Sequence, residues 1–233
     1  MRQNPLQSAL DRAITAKRRL VAPLLGFPGL NLTGATIKLA QQNYGEHFAV
    51  LRAIGDEFRP DAGFPLMELS IEANAHGRYT VFPKADSATV VREPFHLEDL
   101  ESIESINIAF DTRLLGYVET VKLMSLGLPR DVLKCAYVCG PYTLSGLLMG
   151  ADEAAIASVM DCEGLERICR AAAGAIHTYV RLLVAAGARA ICILEPSAVM
   201  LGPEQFRQFS AAFVKPISES CQYSGVSTVY HIC

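Results

Sequence analysis

The chain of 233 residues contains no tryptophan, and only 19% of its residues are charged, below the ~25% of an average globular protein. No basic run occurs, and 21 Lys and Arg nearly balance 24 Asp and Glu, for a formal net charge of −3. That balance argues against a nucleic-acid partner and an anionic membrane surface. A membrane span is missing too: the longest uncharged run, 135–151, is broken by Gly140-Pro141 and falls short of the ~20 residues a bilayer requires. The first residues lead into an amphipathic helical pattern, not the apolar core of an export signal. Neither G-x-G-x-x-G nor a Walker sequence appears, so no phosphate-binding fingerprint is present.

What the chain has is apolar content. Hydrophobic residues make up 51% of it, which excludes disorder over most of its length and supplies a substantial core. The seven cysteines are odd in number and several lie inside apolar segments, as buried free thiols do, so a reducing cytoplasm is expected. Apolar spacing predicts helices at 5–19, 35–54, 106–126, 155–160, 165–186 and 204–221, the last broken at Pro216. Strands are expected at 20–25, 63–67, 132–139, 190–194 and 227–232, with a small β excursion near 78–92 and an acidic linking turn at 98–102. Apolar, non-alternating strands that alternate with helices indicate an α/β chain with a parallel sheet covered on both faces. No linker divides the chain, so one domain over 1–233 is expected. Pattern alone leaves a (β/α)8 barrel and an open doubly wound sheet equally open.

Polar residues gather where these strands end. His231 and Cys233 stand at i and i+2, so in a strand they share a face, and imidazole and thiolate are both zinc ligands. His-x-Cys is also what a packed core pair looks like. Glu68 and Glu72 follow the second strand at i and i+4, either as a carboxylate pair able to ligate or move a proton, or as a solvated helical turn. Glu195 directly follows an apolar strand and precedes Pro196, where a charge is either paired or functional. In the run Gly140-Pro141-Tyr142-Thr143, the backbone at Gly140, the Tyr142 ring and the Thr143 hydroxyl are candidates for substrate contact; the alternative is a tight strand-to-helix turn with Thr143 as N-cap. The spacings of Cys135 with Cys139 and of Cys162 with Cys169 match no ligand set, and His47, His76, His96 and His177 lie in ordinary helix or loop contexts.

Segments 64–73, 140–144, 195–198, 201–206 and 230–233, taken in order, resemble the uroporphyrinogen decarboxylase superfamily, and within it the corrinoid-dependent methylcobamide:coenzyme M methyltransferases. The resemblance implies a (β/α)8 TIM barrel, of which about five of eight strands are present, and hence that these 233 residues are the N-terminal part of a longer protein or close their barrel with a partner chain. Departures from the decarboxylases point to the methyltransferase branch. No arginine lies in 24–30, Glu68 stands where the decarboxylases carry a catalytic aspartate, Tyr142 replaces a tryptophan, and Leu147 replaces a functional tyrosine. By resemblance, Zn²⁺ would be held by His231, Cys233 and a further cysteine downstream. The metal would turn a thiol substrate into a thiolate that takes the methyl group of a methylated corrinoid carried by a partner protein. Glu68, Glu72 and Glu195 would act near the metal or orient the substrate. The partners implied are a corrinoid protein and a small thiol, and a homo-oligomer is compatible with both. The alternatives are a tetrapyrrole decarboxylase and a non-catalytic corrinoid-binding member.

Overall fold

The computed structural model describes residues 4–232, with the backbone alone at positions 97 and 98. The chain opens with α1 (Pro5–Thr15), α2 (Pro28–Thr33), α3 (Ile37–Gln42) and α4 (Tyr44–Phe58). Next come β1 (Ala62–Gly63), α5 (Ile71–Ala75), the hairpin strands β2 (Thr80–Val81) and β3 (Thr89–Val90), α6 (Leu97–Ser105) and α7 (Thr112–Gly127). The second half runs β4 (Leu133–Cys139), α8 (Pro141–Met149), α9 (Ala151–Met160), α10 (Cys162–Ala186) and β5 (Ala190–Leu194). It then passes through α11 (Pro203–Gln205), a π-helical stretch (Phe206–Ala211) and α12 (Ala212–Tyr223) to β6 (Ser227–His231).

Four strands form one parallel sheet in the order β1-β4-β5-β6. Its two faces bury different residues. Ala136, Val138, Ile191 and Ile193 face the helical layer that includes α7, α10 and α12, while Phe64, Leu133, Cys135, Tyr137, Ala190, Cys192 and Leu194 form a second cluster on the inner face. There Phe64 stacks on Tyr137 with ring centroids 5.1 Å apart. Two-faced burial is why β4 and β5 read as continuous apolar runs. Helix α10 is long and apolar enough to cross a membrane, yet Leu165, Ile168, Ala172, Ile176, Tyr179 and Leu183 along it are buried inside the protein, as in a core helix.

Several expectations are corrected by local chemistry. Residues 20–25 form no strand: the amide of Asp61 donates to the Val21 carbonyl (2.7 Å), but the Val21 amide is taken by the Asp61 carboxylate (2.8 Å), and a ladder cannot propagate. The first helix stops at Thr15, with Lys17 in the left-handed region (φ 53°). The helix expected over 35–54 is split by Asn43, whose extended backbone ends α3 and whose side chain caps α4 through the amides of Gly45 and Glu46. The expected strand at 63–67 pairs only at Ala62 and Gly63. The acidic segment 98–102 lies within a helix, α6, and α7 begins only at Thr112, capped by Asp111. Gly140, not Thr143, is the N-cap of α8, whose Pro141 takes the first helical position where a missing N–H costs nothing. Pro216 does not break α12; the irregular turn is the π-stretch before it.

His47, read as lying in an ordinary helix or loop context, links α4 to the segment after β1 and to α7. Its Nε2 accepts the Leu66 amide at 2.7 Å, and its ring meets Tyr117 edge-on at 5.0 Å. Burial pushes its pKa down to about 3, so it stays neutral. The unfolded chain binds a proton below pH ~6.5 that the folded chain refuses. This contribution to stability is therefore complete above pH ~6.5 and lost as pH falls toward 3. Urea unfolding should show a pH slope between 6.5 and 4 that flattens in His47→Gln, relative to wild type.

Candidate functional site at the C-terminal ends of the strands

Glu195 follows β5 and is fully buried. Its Oε1 accepts the Tyr142 amide (3.0 Å) and the Ser210 hydroxyl (2.8 Å), and its Oε2 accepts the Thr143 amide (2.9 Å). The carboxylate thus caps α8 from a neighbouring strand, where the helix dipole favours negative charge. Its own amide donates to the His231 carbonyl at 2.9 Å, which ties the ends of β5 and β6 together. Ser210 also contacts the Tyr230 hydroxyl at 2.5 Å. Burial pushes the Glu195 carboxyl pKa up, against the opposing pull of these donors. Gly140 is required for the fit, because a Cβ there would lie 2.0 Å from Glu195 Oε2.

Glu68 is enclosed by a different set. Arg113 forms an ion pair with it, the Ser70 hydroxyl donates to the same oxygen, and Tyr117 donates to the other at 2.8 Å. The Arg113 guanidinium lies 4.7 Å from the Phe82 ring centre, so an aromatic face covers the cation. Glu72, one helical turn on, takes the Cys139 amide at 2.7 Å. Burial raises its pKa to about 7. Neither carboxylate is a solvated turn residue, and the two do not share a partner.

The remaining sequence-selected residues fall as follows. Tyr142 is fully buried among Ala154, Leu165, Cys169 and Phe209, and its hydroxyl has no hydrogen-bond partner among the described residues. The Thr143 hydroxyl accepts the Ser197 amide at 3.2 Å. His231 ends β6 in register with Leu194 and is half-buried. Cys233 lies outside the described residues, and among those no group of three His, Cys, Asp or Glu side chains could hold a metal ion. Gly140, Tyr142, Thr143 and Glu195 are therefore brought together, as are the ends of β5 and β6; Glu68 sits in a separate cluster. Arg113, Tyr117, Ser210 and Tyr230 were not singled out in the sequence. Arg113 carried a signal: it precedes Tyr117, Val121 and Met124 on a buried helical stripe, where an arginine requires a carboxylate.

A parallel α/β sheet with its polar constellations at the strand C-termini defines an α/β protein of the barrel or doubly wound class, and its known relatives decide for the barrel. The chain belongs to the family described as Uroporphyrinogen decarboxylase (URO-D), which matches residues 40–233. Methylcobamide:CoM methyltransferase MtbA of Methanosarcina mazei is 26% identical over 142 residues, covering 59% of this chain and 41% of that protein, so the match spans about two fifths of the curated relative. A solved methyltransferase from Methanosarcina mazei superposes with a TM-score of 0.83 at 21% identity, over 98% of this chain and 68% of that one. The fold is that of this barrel type, with the sheet left open among the described residues.

Three outcomes follow from the geometry. Gly140→Ala should displace the Glu195 carboxylate from its amides and cost about 3 kcal/mol in urea unfolding. Arg113→Met should cost as much, because it leaves Glu68 charged and unpaired, while Arg113→Met with Glu68→Gln should recover most of the loss. Glu72 holds a proton in the folded chain that the unfolded chain releases above pH ~4.5, so its contribution falls as pH rises toward 7. Glu72→Gln should therefore gain stability over wild type between pH 5 and 8, by about 3 kcal/mol at most.

Proposed function

We propose that this chain takes part in zinc-dependent methyl transfer from a methylated corrinoid, carried by a partner protein, to a small thiol such as coenzyme M. The observation that carries the reading is the position of His231. It ends β6 in register with Leu194, so its side chain shares the inner face at the C-terminal end of the sheet, where barrel enzymes assemble their sites. Cys233 follows two residues later. Imidazole and thiolate fit zinc, and His231 and Cys233 would supply two ligands, with the third outside the described residues. When bound, zinc lowers the pKa of a thiol so that a thiolate is present at neutral pH. The Methanosarcina mazei relative, a methylcobamide:CoM methyltransferase, supports methyl transfer of this kind.

In this reading the buried carboxylates position and do not exchange protons with substrate. Glu195 holds the β5 and β6 ends and the start of α8 in one arrangement, which orients the backbone that carries His231. Glu68 and Arg113 neutralise each other, and Phe82 covers the guanidinium. Glu72 ties α5 to the last residue of β4. The six described cysteines are all free thiols, consistent with a cytoplasmic site of action.

The test is metal analysis of the full-length protein together with methyl transfer from methylcobalamin to coenzyme M. One zinc per chain is expected, and His231→Ala should lose the metal and at least a hundredfold in rate. A folded protein that binds no zinc would overturn the reading, and release of carboxylate from uroporphyrinogen III would replace it with a decarboxylase.

A further inference from the structure

The N-terminal face of the sheet holds a second concentration of chemistry, opposite the strand ends described above. Lys134, the second residue of β4, is only 7% exposed. Cys139 closes the same strand five residues later, about 16 Å away at ~3.3 Å per residue. Lys134 lines an open cavity of about 460 Å³ together with Arg12 of α1, Arg130 of the turn before β4, and Arg189 at the entry to β5. Asp131 is the single carboxylate on its wall.

Four cations against one carboxylate reverse the charge balance of a chain that is acidic overall. None of the four takes part in an ion pair among the described residues. Arg12 donates to the Asp131 backbone carbonyl at 2.8 Å, and the Lys134 ammonium donates to the Pro129 carbonyl, so both spend donors on neutral oxygens. Burial pulls the Lys134 pKa down, and Asp131 is the charge that opposes this. Arg12, Arg130 and Arg189 are exposed, so the cavity presents a surplus of cationic donors to solvent. An oxyanion in the cavity would use that surplus: guanidinium forks match phosphate oxygens, and the lysine supplies a point charge.

We propose that this cavity is a binding site for a phosphate- or diphosphate-bearing small molecule, remote from the site at the strand C-termini. The competing account is that the cations only complement the C-terminal carbonyls of α7 and α10, which end on this face. The two differ in what the cations do without a ligand. Cations held for a ligand add nothing to the stability of the empty protein, whereas cations that complement helix ends stabilise it.

The experiment is thermal unfolding of the full-length protein in pyrophosphate and, separately, inorganic phosphate, at constant ionic strength set with chloride. A saturable rise in Tm is expected for wild type. Lys134→Met and Arg189→Gln should each weaken the half-saturating concentration at least tenfold. Arg189→Gln and Arg130→Gln should leave the unliganded Tm unchanged or raised, and Arg189→Gln keeps the test valid should Lys134→Met fail to fold. No saturable rise, or an equal rise in the arginine variants with a lowered unliganded Tm, would overturn the proposal in favour of helix-end complementation. Co-sedimentation with phosphatidic acid vesicles without any response to pyrophosphate would overturn the small-molecule assignment in favour of a lipid headgroup. Because the site does not involve His231, these outcomes are independent of whether zinc is bound.

Discussion

Water does not reach the end of β5, so the carboxylate that stands there has to be held by protein donors, and the geometry of the upper sheet follows from how this is done. Glu195 sends its oxygens to the first amides of α8 and to Ser210, and its amide to the carbonyl of His231. One residue, through its carboxylate and its backbone amide, therefore fixes the start of the helix after β4, the end of β6, and the approach of the segment leading into α12. Gly140 is the counterpart on the other side, since any side chain there would occupy the space of the carboxylate. The Gly-Pro start of α8 and the Glu-Pro end of β5 are two halves of one fitting.

A second buried charge is handled differently. Glu68 is neutralised by a full ion pair with Arg113, whose guanidinium is covered by the Phe82 ring, an arrangement whose net worth is small but whose disruption is expensive. Such a pair specifies which face of α7 meets the segment after β1. His47 does comparable work with no charge, by accepting the amide of Leu66. The segment 64–68, which forms almost no ladder, is thus fastened by side chains instead of by a neighbouring strand.

The sequence made the second half of the chain legible because its elements are long and apolar with one period each: β4, α10, β5 and β6 were readable within a residue or three at either end. The first half was not, since its elements are short and fixed by long-range contacts. Nothing local in 20–25 announces that Asp61 will claim the Val21 amide, and nothing in 35–54 but Asn43 announces the split. At the site, Glu195 was recognisable as a charge that had to be paired, but its partners are two backbone amides and a serine fifteen residues on, and backbone donors leave no mark in a sequence. The Glu68 cluster was half visible. The carboxylate stood out, whereas Arg113 was absorbed into a helical pattern whose buried stripe should have made it conspicuous.

The π-helical stretch at Phe206–Ala211 places Ser210 against Glu195 and Tyr230. A π turn accommodates about one residue more than an α turn, and each residue in a helix advances the facing direction by about 100°. The bulge therefore works as a phase shifter. Residues before it and after it could not both face their present neighbours along a regular helix. Loss of any one residue within the stretch would relax the backbone to ordinary geometry and rotate the serine off the carboxylate, or turn Val214, Ile217 and Cys221 out of the core. The reading frame of this helix is thereby constrained by length as well as by composition, and substitutions should be tolerated along it more readily than deletions.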